Sequence, residues 1–180
     1  MARTATSLSD AHQQFIRDQE MFFVATAPLD AQGHVNLSPK GRDTFRILGP
    51  TSVAYLDLTG SGVETIAHLR ENGRIVLMFC AFEGPPNILR LHGRGRAVRQ
   101  EDAEFAGLQS LFPVFPSTRS IIVVDVARVS DSCGYGVPLM QPTGERPQLD
   151  AWACSKGPEG LRAYRREKNR QSIDALPGLD

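Results

Sequence analysis

Four small residues, Thr59, Gly60, Ser61 and Gly62, stand between an apolar run and a helical pattern. Backbone N–H groups at the start of a helix, with hydroxyls beside them, bind an anion, and phosphate is the usual guest. The same stretch also reads as a plain capped turn, because Thr or Ser at an N-cap needs no ligand. Neither GxxxxGK nor GxGxxG is present, so it is not one of the two common nucleotide fingerprints. Lys40, after Pro39 at a strand end, is a second anion-binding candidate or an ordinary surface lysine. A third stretch is SDSCGYGVPLM, with Ser132, Cys133 and Tyr135 set among glycines. Its amides can approach a planar ring, and Tyr135 can stack on that ring or give it a proton. The bland alternative is a Gly-Pro connection whose tyrosine packs on the surface. No histidine neighbours Cys133, so a nucleophilic role finds no support. His12 and His68 fall on helix faces that read as exposed, His34 falls in a turn, and His92 falls on a strand. The chain offers no carboxylate pair, no triad and no metal-ligand cluster from which a reaction follows.

The elements that must position these residues are mostly strands. Ser9 or Asp10 caps a helix reaching Gln19. Strands are expected at 21–26, 35–38, 45–48, 52–58, 74–82, 88–99 and 119–129. Pro39 should end the ladder role of the second strand, and Lys40–Asp43 should turn the chain. The helix after Gly62 turns Val63, Ile66, Ala67 and Leu69 inward and stops at Asn72-Gly73. Gly93 and Gly95 suit a bend where a sheet curls. Asp102 is expected to cap a helix to Leu111, and a charged helix is expected near 159–168. Many strands with short connections and few helices point to a small closed or partly open β-barrel, mostly antiparallel, with helices outside. Residues 1–150 form the barrel domain in this reading. Residues 151–180 form a tail with a short helix, and Trp152 either anchors that tail or packs over a partner or cofactor.

Composition sets the outer bounds. The chain has 180 residues, 41% hydrophobic and 22% charged, enough for one globular domain with an ordinary core. Lys+Arg 20 equals Asp+Glu 20, which argues against bulk binding of nucleic acid. No run approaches the roughly 20 apolar residues of a membrane span, and the N-terminal stretch lacks a signal-peptide pattern. Three widely spaced cysteines, Cys80, Cys133 and Cys154, read as free thiols in a reducing cytoplasm.

Taken in order, HVNLSPKG, VAYLDLTGSGVETIAHLRENGRIVLMF and ILRLHGRGRAV resemble the pyridoxamine 5'-phosphate oxidase-like, FMN-binding split-barrel superfamily. SPKG, DLTGSGVET, FEGPP and SCGYGVP resemble a bacterial branch of it, whose members are known as pyridoxamine 5'-phosphate oxidase-related or FMN-binding proteins. The resemblance implies a split β-barrel and a homodimer with FMN at its interface. It implies cofactor contacts from Ser38, Lys40, Thr59, Ser61, Gly62 and Arg90, with Arg42 as a further donor. It leaves Tyr135 as the one weak catalytic candidate. Two departures stand out. An Arg-Lys pair of the true oxidases is replaced by Ser61-Gly62, and a strand-start Gln by Ile88. The vitamin substrate is therefore not expected. The chemistry implied is two-electron transfer between a nicotinamide donor, FMN and a small acceptor. The alternatives are a deazaflavin coenzyme in place of FMN, or a non-catalytic protein that holds flavin, deazaflavin or haem.

Overall fold

Period-two alternation decides which side chains turn inward. In Met21–Thr26 (β2), Phe22, Val24 and Thr26 are buried and their neighbours are half-buried. Arg74–Cys80 (β6) and Ile88–Arg99 (β7) turn Leu77, Phe79, Leu89 and Leu91 to the same interior. Ser52–Leu58 (β5) and Thr118–Ser132 (β8) supply Val53, Tyr55, Ile122 and Val124. Phe22, Phe45, Tyr55 and Phe79 pack ring against ring, with centroids 5.0–5.5 Å apart. Fully burying such a side chain stabilises the fold by about 1.5–3 kcal/mol.

The structure is a computed structural model that describes residues 3–179. Arg3–Ala5 (β1), Asn36–Gly41 (β3) and Phe45–Gly49 (β4) complete an eight-stranded sheet. Its order is β3-β2-β6-β7-β8-β5-β4, with β1 on β8, and every pairing is antiparallel. β3 and β4 are joined by a short turn but form the two free edges, so the barrel is split between them. The expected mostly antiparallel split barrel with peripheral helices is what the chain forms. Glu64–Glu71 (α2) packs against β2, β6 and β7. A second, smaller core lies outside the barrel. There Leu56, Val98, Ile121 and Phe112 meet Phe105 and Leu108 of Phe105–Gln109 (α3).

Several expectations need correction. Pro39 does not end β3 but pairs with Phe23 inside it. An edge strand tolerates a missing N–H, which is why this position accepts proline. Lys40 is consequently a strand residue, and the turn moves on to Arg42–Thr44. Asp102 caps no long helix; its carboxylate accepts the Arg99 N–H, and α3 is only five residues. β6 stops at Cys80, short of Phe82. The C-terminal helical segment, Gln148–Lys168 (α4), is two helices joined at Gly157, which is not helical (φ 64°, ψ 173°), with Pro158 opening the second; that second helix is the charged one expected near 159–168, and the first was not expected. His68 is fully buried rather than exposed, because strands cover one side of α2 and the chain's C-terminal residues cover another. His12, on Asp10–Arg17 (α1), is half-buried and hydrogen-bonds Asp131 at 3.0 Å.

The β7–β8 register shifts between His92 and Gly93. A Cβ on Gly93 would run into the Asp125 carbonyl oxygen. Gly93→Ala should lower stability by about 1–3 kcal/mol in urea unfolding. Gly107→Ala in α3, where a Cβ meets open space, should not lower it.

Candidate functional site

Asp57 is the only charged residue in the buried run of β5, and a buried carboxylate must find cations. It finds Arg119, whose Nε donates to Oδ2 at 2.8 Å and whose Nη2 donates to Oδ1 at 3.1 Å. Ser120 adds a hydroxyl at 3.1 Å, and Lys40 Nζ lies 3.8 Å from Oδ1. Burial pushes this carboxyl up, but the Arg119 and Lys40 charges and the hydrogen bonds outweigh it, so its pKa lies below the usual value. Arg119 Nη1 goes on to donate to the Gly62 carbonyl and to Asn169 Oδ1, both at 2.9 Å.

The turn that follows is held by its carbonyls. Asn169, completely buried, donates to the Gly60 and Ser61 carbonyls at 2.9 and 3.3 Å. The Thr59 N–H and hydroxyl both donate to the Ser117 carbonyl, at 2.7 and 2.8 Å. Arg165 of α4 then donates to the Thr59 oxygen at 2.9 Å. No side chain caps α2, whose N-cap is Val63. The capped-turn reading of Thr59 and Ser61 therefore does not hold. The N–H groups of Gly60, Ser61 and Gly62 have no acceptor among the described residues, and Gly60 and Ser61 are exposed.

Beside the turn, the inner face of the edge strand carries a polar ladder. Ser38 donates to Asn36 Oδ1 at 3.1 Å, and Asn36 Nδ2 donates to Thr26 and Thr65 at 3.2 and 3.0 Å. Thr26 is hydrogen-bonded to His68 Nδ1 at 2.9 Å. Burial lowers the His68 pKa despite Asp174, Glu64 and Glu71 nearby, which keeps the ring neutral.

Ser38 and Lys40 are thus linked to the turn and its helix through other groups: Lys40 through Asp57 and Arg119 to Gly62, and Ser38 through Asn36 to Thr65. Arg90 does not join them within one chain. It pairs with Met78, which pairs with Phe23, which pairs with Pro39. Lys40 pairs with Phe22 and so lies on the other face. Arg90 there donates to Ser132 at 2.9 Å. Arg42 is engaged elsewhere, with Asp150 and Glu145 of the C-terminal segment. Tyr135 is 84% exposed, and Cys133 is an exposed free thiol. Trp152 packs edge-on against Tyr164, centroids 5.0 Å apart. A hollow of about 380 Å³ on the outer sheet face is lined by Ala25, Val35, Arg74, Val76, His92 and Gly93 among others. Burial, with the Arg128 and Arg90 charges, lowers the His92 pKa. Among the described residues no group of three or more His, Cys, Asp and Glu can hold a metal ion. Among the same residues no helix is long and apolar enough to cross a membrane.

Sequence reasoning missed Asp57, Arg119, Arg165 and Asn169. A lone Asp inside an apolar strand was a readable signal of a buried ion pair. Arg165 and Asn169, more than a hundred residues from the turn, had none.

Comparison with known proteins places this geometry. The family model described as pyridoxamine 5'-phosphate oxidase matches residues 8–133. The pyridoxamine 5'-phosphate oxidase family protein ustO of Aspergillus flavus is 40% identical over 190 residues, spanning 96% of this chain and 76% of that protein. The likeness thus reaches a fungus. Crystal structures share the fold at low identity. HupZ of Group A Streptococcus is 21% identical with a TM-score of 0.51, over 68% of this chain and 91% of that one. A FAD-binding protein of Mesorhizobium loti is 12% identical with a TM-score of 0.50, over 73% and 95%.

Asp57→Asn should remove roughly 3–5 kcal/mol of stability, since it strands the buried Arg119 charge. The folded carboxyl has a depressed pKa. Its contribution is present above the unfolded value of about 4 and lost as pH falls through the lower folded value. Wild type should therefore lose stability in acid more steeply than the Asn variant, measured by unfolding at stepped pH.

Proposed function

The chain belongs to the pyridoxamine 5'-phosphate oxidase family, and we propose that it is an FMN-dependent oxidoreductase. It would work as a cytoplasmic homodimer with the cofactor at the interface, passing two electrons from a nicotinamide donor to a small acceptor. The observation that carries this reading is Lys40 at the open edge of the barrel, its Nζ 3.8 Å from Asp57, two residues before the Thr59–Gly62 turn. A cation, exposed hydroxyl and amide groups and a glycine with open space beside it fit the phosphate end of a flavin. The Mesorhizobium loti protein of the same fold, described as FAD-binding, supports a flavin.

Bound FMN would supply the redox chemistry. The chain's part is to bind and orient it: Lys40, Ser61 and the turn amides on the phosphate, and Ser38 on the edge strand beside it. Arg90, on the opposite sheet face, would serve a cofactor shared between two subunits. Ser61-Gly62 in place of a basic pair argues against pyridoxamine phosphate as substrate.

A second reading is a protein that holds flavin, deazaflavin or haem without turnover. One observation favours it: Tyr135, the only side chain offered as a proton donor, stands out in solvent.

Titration with FMN, followed by anaerobic NADPH, separates the two. The Lys40→Glu, Ser61→Asp double variant should bind FMN at least about tenfold more weakly than wild type, reflecting a lost charge-assisted bond. Unchanged affinity would contradict the site. Bleaching of the bound flavin by NADPH supports the enzyme; a flavin that NADPH leaves oxidised supports the binding protein.

A further inference from the structure

Positive charge at the turn exceeds the carboxylate charge that answers it. Arg119, Lys40 and Arg165 converge there, and Asp57 is the carboxylate they share. Arg119 takes both Asp57 oxygens, and Lys40 stays at 3.8 Å, beyond hydrogen-bond reach. Arg165 touches no carboxylate. Its Nε donates to Thr59 and its Nη2 to the Thr118 carbonyl, each at 2.9 Å, and its Nη1 has no partner among the described residues. Burial and then the Arg119 charge lower its pKa, against the opposing pull of Asp57. Nearby carboxylates are committed or distant. Glu159 pairs with Arg162; Glu64 receives the Ile173 N–H on Oε1 at 3.4 Å, and its Oε2 lies against Gly62, where a Cβ would collide with it, so it is the one carboxylate beside the turn apart from Asp57 among the described residues.

The polar groups around Arg165 are also incompletely used. The Ser117 and Thr118 hydroxyls are buried, and neither has a hydrogen-bond partner among the described residues. Ser117 is the residue whose carbonyl holds Thr59, and Thr118 is the residue whose carbonyl holds Arg165. Thr59, held on the Ser117 carbonyl, leads into Gly60, Ser61 and Gly62, whose amides have no acceptor among the described residues. Unpaired donors and surplus cation at one place want a compact, multiply charged oxyanion.

We propose that Arg165 anchors an oxyanion site at this turn and that its occupant is the phosphate monoester of the bound flavin. This rests on the flavin reading above. It relocates the phosphate's main countercharge from the turn, which lacks basic residues of its own, to the C-terminal helix. The helix that closes over the turn is then the element that selects a phosphorylated cofactor over its unphosphorylated form.

The test compares FMN and riboflavin binding to wild type, Arg165→Gln and Arg165→Lys by flavin fluorescence. Wild type should prefer FMN. Arg165→Gln should shrink that preference roughly ten- to hundredfold, the weight of a charge-assisted hydrogen bond, while riboflavin affinity holds. Riboflavin binding doubles as proof that the site is folded. Arg165→Lys, which keeps the charge but cannot hold Thr59 and the anion together, should fall between. If Arg165→Gln does not fold, a smaller preference in Arg165→Lys supports the proposal and an unchanged one overturns it. A wild type that binds both flavins equally, or an Arg165→Gln protein that keeps the full preference, also overturns it and leaves flavin binding standing. Should wild type bind neither flavin, the flavin reading fails and inorganic phosphate decides the oxyanion site. A melting-temperature rise with phosphate in wild type but not in Arg165→Gln supports it; equal responses overturn it.

Discussion

A carboxylate buried near the end of an interior strand, β5, governs this structure. Asp57 is 1% exposed, and its charge is tolerable only because Arg119 meets it with two hydrogen bonds. That requirement fixes Arg119 on β8, and the remaining guanidinium hydrogens then fix Gly62 and Asn169. Asn169 in turn sets the carbonyls of Gly60 and Ser61. Turn, strand and C-terminal helix are one hydrogen-bonded unit, although they come from three distant parts of the chain.

The barrel explains why that unit sits at an opening. Its two edge strands do not pair, and Pro39 helps keep β3 an edge by withholding an N–H. The inner face of β3 is polar, with Asn36, Ser38 and Lys40, where the inner faces of its neighbours are apolar. Polar groups belong at an edge because a partner or solvent can satisfy them there. Within one chain, Asn36 and Ser38 satisfy each other and the threonines of β2 and α2. Lys40 is left directed at the carboxylate of β5, across the split. The outer sheet face, with Arg90 and His92, is a separate surface.

Much of the fold was legible because strands with one buried face announce themselves by alternation. β2, β5 and β7 were bounded correctly from that signal, and the Gly93 bend from glycine placement. The family signature was legible for the same reason: it lies in the strands and the turn that carry it. What escaped depends on contacts between residues far apart. His68 looked like a surface residue on an amphipathic helix until the C-terminal residues were laid over it. Of α4, the charged helix after Gly157 and Pro158 was legible and the helix before them was not; the two residues separate helices here, as they normally do. Ser38, Lys40 and the turn were found as separate candidates, and they are linked through Asn36, Asp57 and Arg119. The arginines that answer them were invisible, since nothing local distinguishes Arg165 from the other basic residues of its helix.

The most direct test is to identify any chromophore carried by the freshly purified full chain, by its visible spectrum and by the mass of what acid releases. Flavin bands are expected, with FMN released near one equivalent per chain. A colourless protein that also takes up no added FMN, or one that releases a deazaflavin or haem, would contradict that expectation.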